Sequence, residues 1–134
     1  MTRTTRQRLQ DAHAAIAAIQ RYVPSEALDR LNDDLTRSAV ERQLSIVREA
    51  LRVALLQDPS LRHSWPELEA VMARCDQLRD WENSVEVQEL AEFVEGELKG
   101  WQGMIAVLLK QQQEEATRLD QLIAENLGRL GYEF

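Results

Sequence analysis

Apolar residues recur along the chain at alternating spacings of three and four, which gathers them on one side of a helix of 3.6 residues per turn. Leu9, Ala12, Ile16, Ile19 and Val23 form the first such stripe and leave Gln20 and Arg21 toward water. Pro24 ends that helix, because the residue before a proline is pushed out of the helical region. The segment SEALDRLNDD at 25–34 reads as a short helix or a turn-rich connector. A second helix is expected after Thr36, a good N-cap, with Val40, Leu44, Val47, Leu51 and Leu55 on one face until QDPS at 57–60. That helix should be central. Ser64 and Glu67 then have the spacing of a capping box, with Pro66 in the first turn, where its missing N–H costs nothing. Leu68, Val71, Cys75 and Leu78 are the expected buried stripe of the third helix.

After a polar break at 82–84, the same spacing resumes through Val87, Leu90, Val94, Leu98, Trp101, Ile105 and Leu108, which predicts a fourth helix. Gly100 and Gly103 lie inside it. Each costs about 1 kcal/mol against alanine in a helix interior, so both suggest close approach of another backbone, the favoured reading, or a local bend. The run QQQEEA that follows Lys110 has no glycine or proline to break a helix, so continuation of the fourth helix through Leu119, Leu122, Ile123, Leu127 and Leu130 is favoured over a fifth helix folded back on the bundle. Those residues are expected to serve bundle or dimer packing. No repeat has a solenoid period. The prediction is an all-α, antiparallel four- to five-helix bundle, a single domain over 1–134 with 111–134 as a C-terminal helical extension.

Composition agrees with this reading. A chain of 134 residues with 44% apolar and 29% charged residues can fill one core, and its 5% aromatic share suits helices better than sandwiches. The net charge of -7 disfavours a general RNA binder. Between Asp76 and Glu97 only Arg79 and many carboxylates are present, so that region should repel RNA. Cys75 is the only cysteine, which excludes an intrachain disulfide and a thiolate zinc cluster and makes a reducing cytoplasm the expected compartment. Arg3, Arg6 and Arg8 ahead of an alanine-rich run have the look of a targeting peptide, but His13 and Gln20 interrupt the run. No window reaches the roughly 20 apolar residues of a membrane span, so no membrane association is expected.

Four segments in order, DAHAAIAAIQRYV at 11–23, DDLTRSAVERQLSIVREAL at 33–51, DPSLRHSWPELEAV at 58–71 and RCDQLRDW at 74–81, resemble the HepT-like branch of the HEPN proteins. The resemblance runs from about Asp11 to Lys110 and does not reach the extension. It implies a small helical bundle, usually a homodimer, often encoded beside a small nucleotidyltransferase as a toxin–antitoxin pair. Active members are metal-independent ribonucleases that carry an Arg, four to six residues, a His, one residue and a Tyr. On this chain Arg74 matches the Arg, Cys75 stands where Asn is usual, Arg79 takes the His position and Trp81 the Tyr position.

Those replacements remove the chemistry. Cleavage through the 2′-hydroxyl needs a proton acceptor near neutral pH, which histidine supplies with a pKa of about 6.5. Arginine stays charged, so Arg79 can stabilise phosphate but cannot be a general base. Trp81 has no phenolic oxygen to position a phosphate or to accept a nucleotidyl group. The motif is therefore read as degenerate, with Arg74 and Arg79 as possible anion or RNA contacts, no cofactor and no metal. His13 beside the first stripe and His63 before the capping box are expected to be ordinary bundle-edge and loop residues. Asp76, three residues before Arg79, and the adjacent Asp80 are the two candidate ion-pair partners in the structural reading of that arginine, and Cys75 is expected in the core. Two further functions stay open: a divergent metal-independent ribonuclease toxin, and a structural or signalling adaptor that acts through its C-terminal helix.

Overall fold

The computed structural model describes residues 3–79 and 86–131, and these are helical with no strand. Helix α1, Thr5–Tyr22, opens on a capping box. The Thr4 hydroxyl accepts from the Gln7 N–H at 3.1 Å, and the Gln7 side chain accepts from the Thr4 N–H at 2.8 Å. A 3₁₀ segment, Ser25–Asn32, makes the connector and buries Leu31 completely. Helix α2 is Asp34–Gln57. It starts three residues earlier than a Thr36 cap allows, because the Asp33 carboxylate takes the cap and accepts from both the Thr36 N–H and the Thr36 hydroxyl.

A single turn, α3 (Leu61–Ser64), precedes α4 (Leu68–Arg79). Ser64 thus closes a helix instead of opening the next. The Trp65 side chain, 4% exposed, fills the corner between them, and the Leu68 N–H donates to the Trp65 carbonyl at 3.1 Å. The expected fourth helix is two, α5 (Val87–Glu95) and α6 (Glu97–Arg129). They meet at Gly96, whose φ of -117° and ψ of -82° take the chain out of the helix. Gly100 and Gly103 do not mark a close contact: a Cβ on either would meet nothing within 4 Å. The helix does run unbroken through QQQEEA for 33 residues.

Cross-links between side chains fix the directions. Gln57 at the end of α2 donates to the Arg3 carbonyl before α1, while Tyr22 at the end of α1 accepts from Gln43, so α1 and α2 are antiparallel. Helix α6 runs against α1, since Gln102 lies beside Gln20 and Gln112 reaches Asp58 at 3.4 Å. Gln20 is therefore part-buried in a reciprocal amide pair with Gln102 at 2.9 and 3.0 Å, not turned to water. Helix α4 packs on α2, and α5 packs on α6 and the 3₁₀ segment.

The core is where the spacing places it. Leu9, Ile16 and Ile19 of α1, Leu44, Val47 and Leu51 of α2, Cys75 of α4, and Leu98 and Ile105 of α6 are all fully buried. Phe93 joins them, one residue off the expected stripe, with its ring centroid 4.9 Å from that of Trp101 in an edge-on pair. Past Gln112 the picture changes: Leu119, Leu122, Ile123 and Leu130 are 46, 42, 56 and 72% exposed. They do not pack on their own bundle.

Candidate functional site

Helix α4 carries Arg74, Cys75 and Arg79 of the motif, and it directs the two arginines to different neighbours. Arg79 is five positions after Arg74, about 140° around the helix, so they cannot share one face. Arg74 turns to α5 and α6. Its Nε and Nη2 each donate to Glu97 at 3.1 Å, in a bidentate fork, and its Nη1 reaches Glu89 at 3.2 Å and Gln77 at 3.4 Å. All three guanidinium nitrogens are engaged, and the side chain is only 24% exposed. Burial pulls the Arg74 pKa down, but the hydrogen bonds it donates to Glu97 and Glu89, with the charges of those acids, outweigh it and leave the pKa above the ordinary value. The acidic run after Asp76 is thus more than a solvated face: two of its carboxylates hold this arginine.

Arg79 turns to α2. Its Nη1 donates to Asp76 at 3.3 Å, the partner expected three residues back. Asp76 also lies 2.8 Å from Arg48 Nε of α2, an ion-pair distance at which the N–H is not aimed at the oxygen. One carboxylate therefore serves two arginines, and Arg79 Nε and Arg48 Nε are buried without a hydrogen-bond acceptor. Among the described residues, this end of the motif helix has fewer carboxylates for its arginines than Arg74 has. Trp81 and Asp80 lie outside the described residues.

Cys75 sits between these two clusters with no exposed surface. Burial first, and the neighbouring Asp76 second, push its thiol up to about 12. A thiol that stays protonated at neutral pH is neither nucleophile nor metal ligand. His13 is half-buried on α1 and His63 is exposed on α3, so the two lie on separate elements and neither is on α4. Among the described residues no group of His, Cys, Asp and Glu could hold a metal ion, and no helix is long and apolar enough to cross a membrane.

A groove of about 610 Å³ is one the sequence pattern does not announce. It runs between α1 and α2 over a floor of Ala14, Ala18 and Ile46, with Arg8, Arg21 and Arg42 at its rim. The signal available was the small residue on the outer side of α1, since Ala14 and Ala18 are four apart and so stand one above the other. A second groove between α2 and α4 brings Arg48, Arg52 and Arg62 together with Leu56, Met72 and Asp76. Comparison with protein-family models, with curated proteins and with solved structures gives no match to this chain.

Proposed function

We propose that this chain is a HepT-like HEPN bundle without ribonuclease activity, working in the cytoplasm as a dimeric binding or regulatory subunit whose second partner is a nucleotidyltransferase-type protein. The observation that carries the reading is the state of Arg74. In a ribonuclease of this kind the arginine must be free to meet a phosphate, whereas here every guanidinium nitrogen is already given to Glu97, Glu89 or Gln77. A phosphate would have to displace two carboxylates while entering a strongly acidic surface. The general base is missing as well, since an arginine stands at position 79. Losing an acid–base group typically costs about 10²–10⁴-fold in rate, and loss of the phosphate contact adds to that. What remains is a rigid bundle with apolar and charged faces, which suits binding better than turnover.

The test is cleavage of mixed transfer and messenger RNA by the homogeneous protein in chelator. Wild type is expected to be inert. Arg79→His with Trp81→Tyr and Glu97→Gln, which restores the base and the phenol and loosens Arg74, is expected to gain measurable cleavage. Cleavage by wild type that disappears in Arg74→Ala would overturn the reading in favour of the divergent ribonuclease. Partner choice is checked by mixing with candidate nucleotidyltransferases, where a strict monomer that binds none of them argues for the adaptor instead.

A further inference from the structure

The face of α6 that enters the core carries Leu98, Trp101, Ile105 and Leu108, none more than 8% exposed. At about 100° per residue that same face continues without a phase shift through Gln112, Ala116, Leu119, Ile123, Asn126 and Leu130. The steps alternate four and three, the spacing of a two-helix seam. Up to Gln112 the bundle covers the face; beyond it no described element does, and Leu119, Ile123 and Leu130 stand 46, 56 and 72% exposed. The uncovered stripe is about 27 Å long.

We propose that a second copy of this chain covers it, the two α6 extensions pairing antiparallel about a two-fold axis beside Leu122. The charges that flank the stripe choose both the occupant and the direction. One flank carries Glu115, Leu122 and Arg129, the other Gln113, Asp120 and Leu127. In an antiparallel self-pair the first flank meets itself, so Glu115 faces Arg129 of the second copy, and by symmetry this happens twice. Leu122 meets Leu122 at the axis, and Leu119 packs on Ile123 of the second copy. Against this stands one like-charge contact, Asp120 with Asp120, on the other flank. A parallel pair instead sets Glu115 against Asp120 of the second copy, also twice, with no opposite-charge pair in return. It would also bring two chains of net charge -7 side by side, whereas the antiparallel pair holds the bundles at opposite ends. The pairing gives the dimer of the proposed function a surface, and it rests on that reading only for the expectation that the chain self-associates.

Sedimentation equilibrium of the full chain across a wide concentration series tests it. Wild type is expected to be a dimer, and Leu119→Glu with Ile123→Glu is expected to raise the dissociation constant by at least about 100-fold. The helical signal of the bundle should stay. Glu115→Arg gives the direction: in the antiparallel pair it faces Arg129 and weakens the dimer about tenfold, while in a parallel pair it faces Asp120 and tightens it. Adding Arg129→Glu to Glu115→Arg should restore the wild-type constant to within about threefold. Tightening by Glu115→Arg alone, or weakening that Arg129→Glu does not rescue, as docking in the arginine-rimmed α1–α2 groove would give, overturns the proposal. A dimer indifferent to the changes at 119 and 123 also overturns it while leaving the dimeric reading standing, and a monomer at every concentration sinks both.

Discussion

Removing the Arg74 guanidinium leaves Glu89 and Glu97 facing each other without a counter-charge at the junction of α4, α5 and α6. Arg74→Ala is accordingly expected to lower stability by about 1–3 kcal/mol in urea unfolding, the range for charge-assisted hydrogen bonds lost from a partly buried site. Glu89→Gln with Glu97→Gln, which keeps the shape and removes both charges, should cost less, because Arg74 can still donate to the amide oxygens. Cys75 gives a prediction of the opposite kind. Its folded pKa of about 12 lies above the unfolded value near 9, so the folded state keeps a proton that the unfolded state releases. The contribution is fully present below about pH 9 and is lost as pH rises through about 12. Alkylation by iodoacetamide at pH 8 should be at least about 100-fold slower in the folded protein than in urea, and Cys75→Ala should abolish it.

At the scale of the element, the three glycines near the start of α6 separate by their surroundings. Gly100 and Gly103 have open space where a Cβ would go, so alanine at either should stabilise by about 0.5–1 kcal/mol through helix propensity alone. Gly96 lies at the bend, with the Glu92 carbonyl oxygen 3.3 Å from any added Cβ. Gly96→Ala should therefore destabilise, and thermal melts of the three single variants are sufficient to show the difference in sign. These positions also mark how far the sequence could be read. The stripes were legible because burial on one face leaves a period of 3.6, and Leu9 to Val23, Val40 to Leu55 and Leu68 to Leu78 are buried as the period says. The bend at Gly96 was not, because Val94 and Leu98 keep the four-residue step across it and the pattern passes through unbroken. Gly100 and Gly103 were misread because a glycine in a helix signals only a local cost, not its cause. Thr36 and Asp33 could each have capped α2, and the carboxylate, the stronger acceptor, took the position. For the candidate site, the Asp76–Arg79 pair is local and was legible at a spacing of three. The acids that hold Arg74 lie 15 and 23 residues away, brought there by a chain reversal that no local pattern records.

For the whole molecule, stability resides in the part of the chain before Gln112. Helices α1 and α2 form the centre, α4 packs on α2 and α6 on α1, Arg74 ties α4 to α6, and α5 packs on α6 and the 3₁₀ segment. Leu51→Ala in this centre should cost about 2–5 kcal/mol, the usual loss for a fully buried leucine. Deleting 113–134 should by contrast leave the monomer's own unfolding free energy within about 1 kcal/mol, because those described residues bury almost nothing against the bundle. Far-UV circular dichroism would then lose helix in proportion to the residues removed while near-UV bands from Trp65 and Trp101 persist.

The contact of Gln112 with Asp58, the last described hydrogen bond from α6 to another element, has a consequence for motion in time. A single helix passes there from a region that opens only when the bundle unfolds to one that can fray from its free end. Backbone amides before that point should exchange with deuterium at the rate of global opening, and those beyond it much faster, with no boundary in the helix itself to mark the step. If two extensions pair, the fast amides alone should slow as protein concentration rises, and the half-life of each would then report the occupancy of its neighbour.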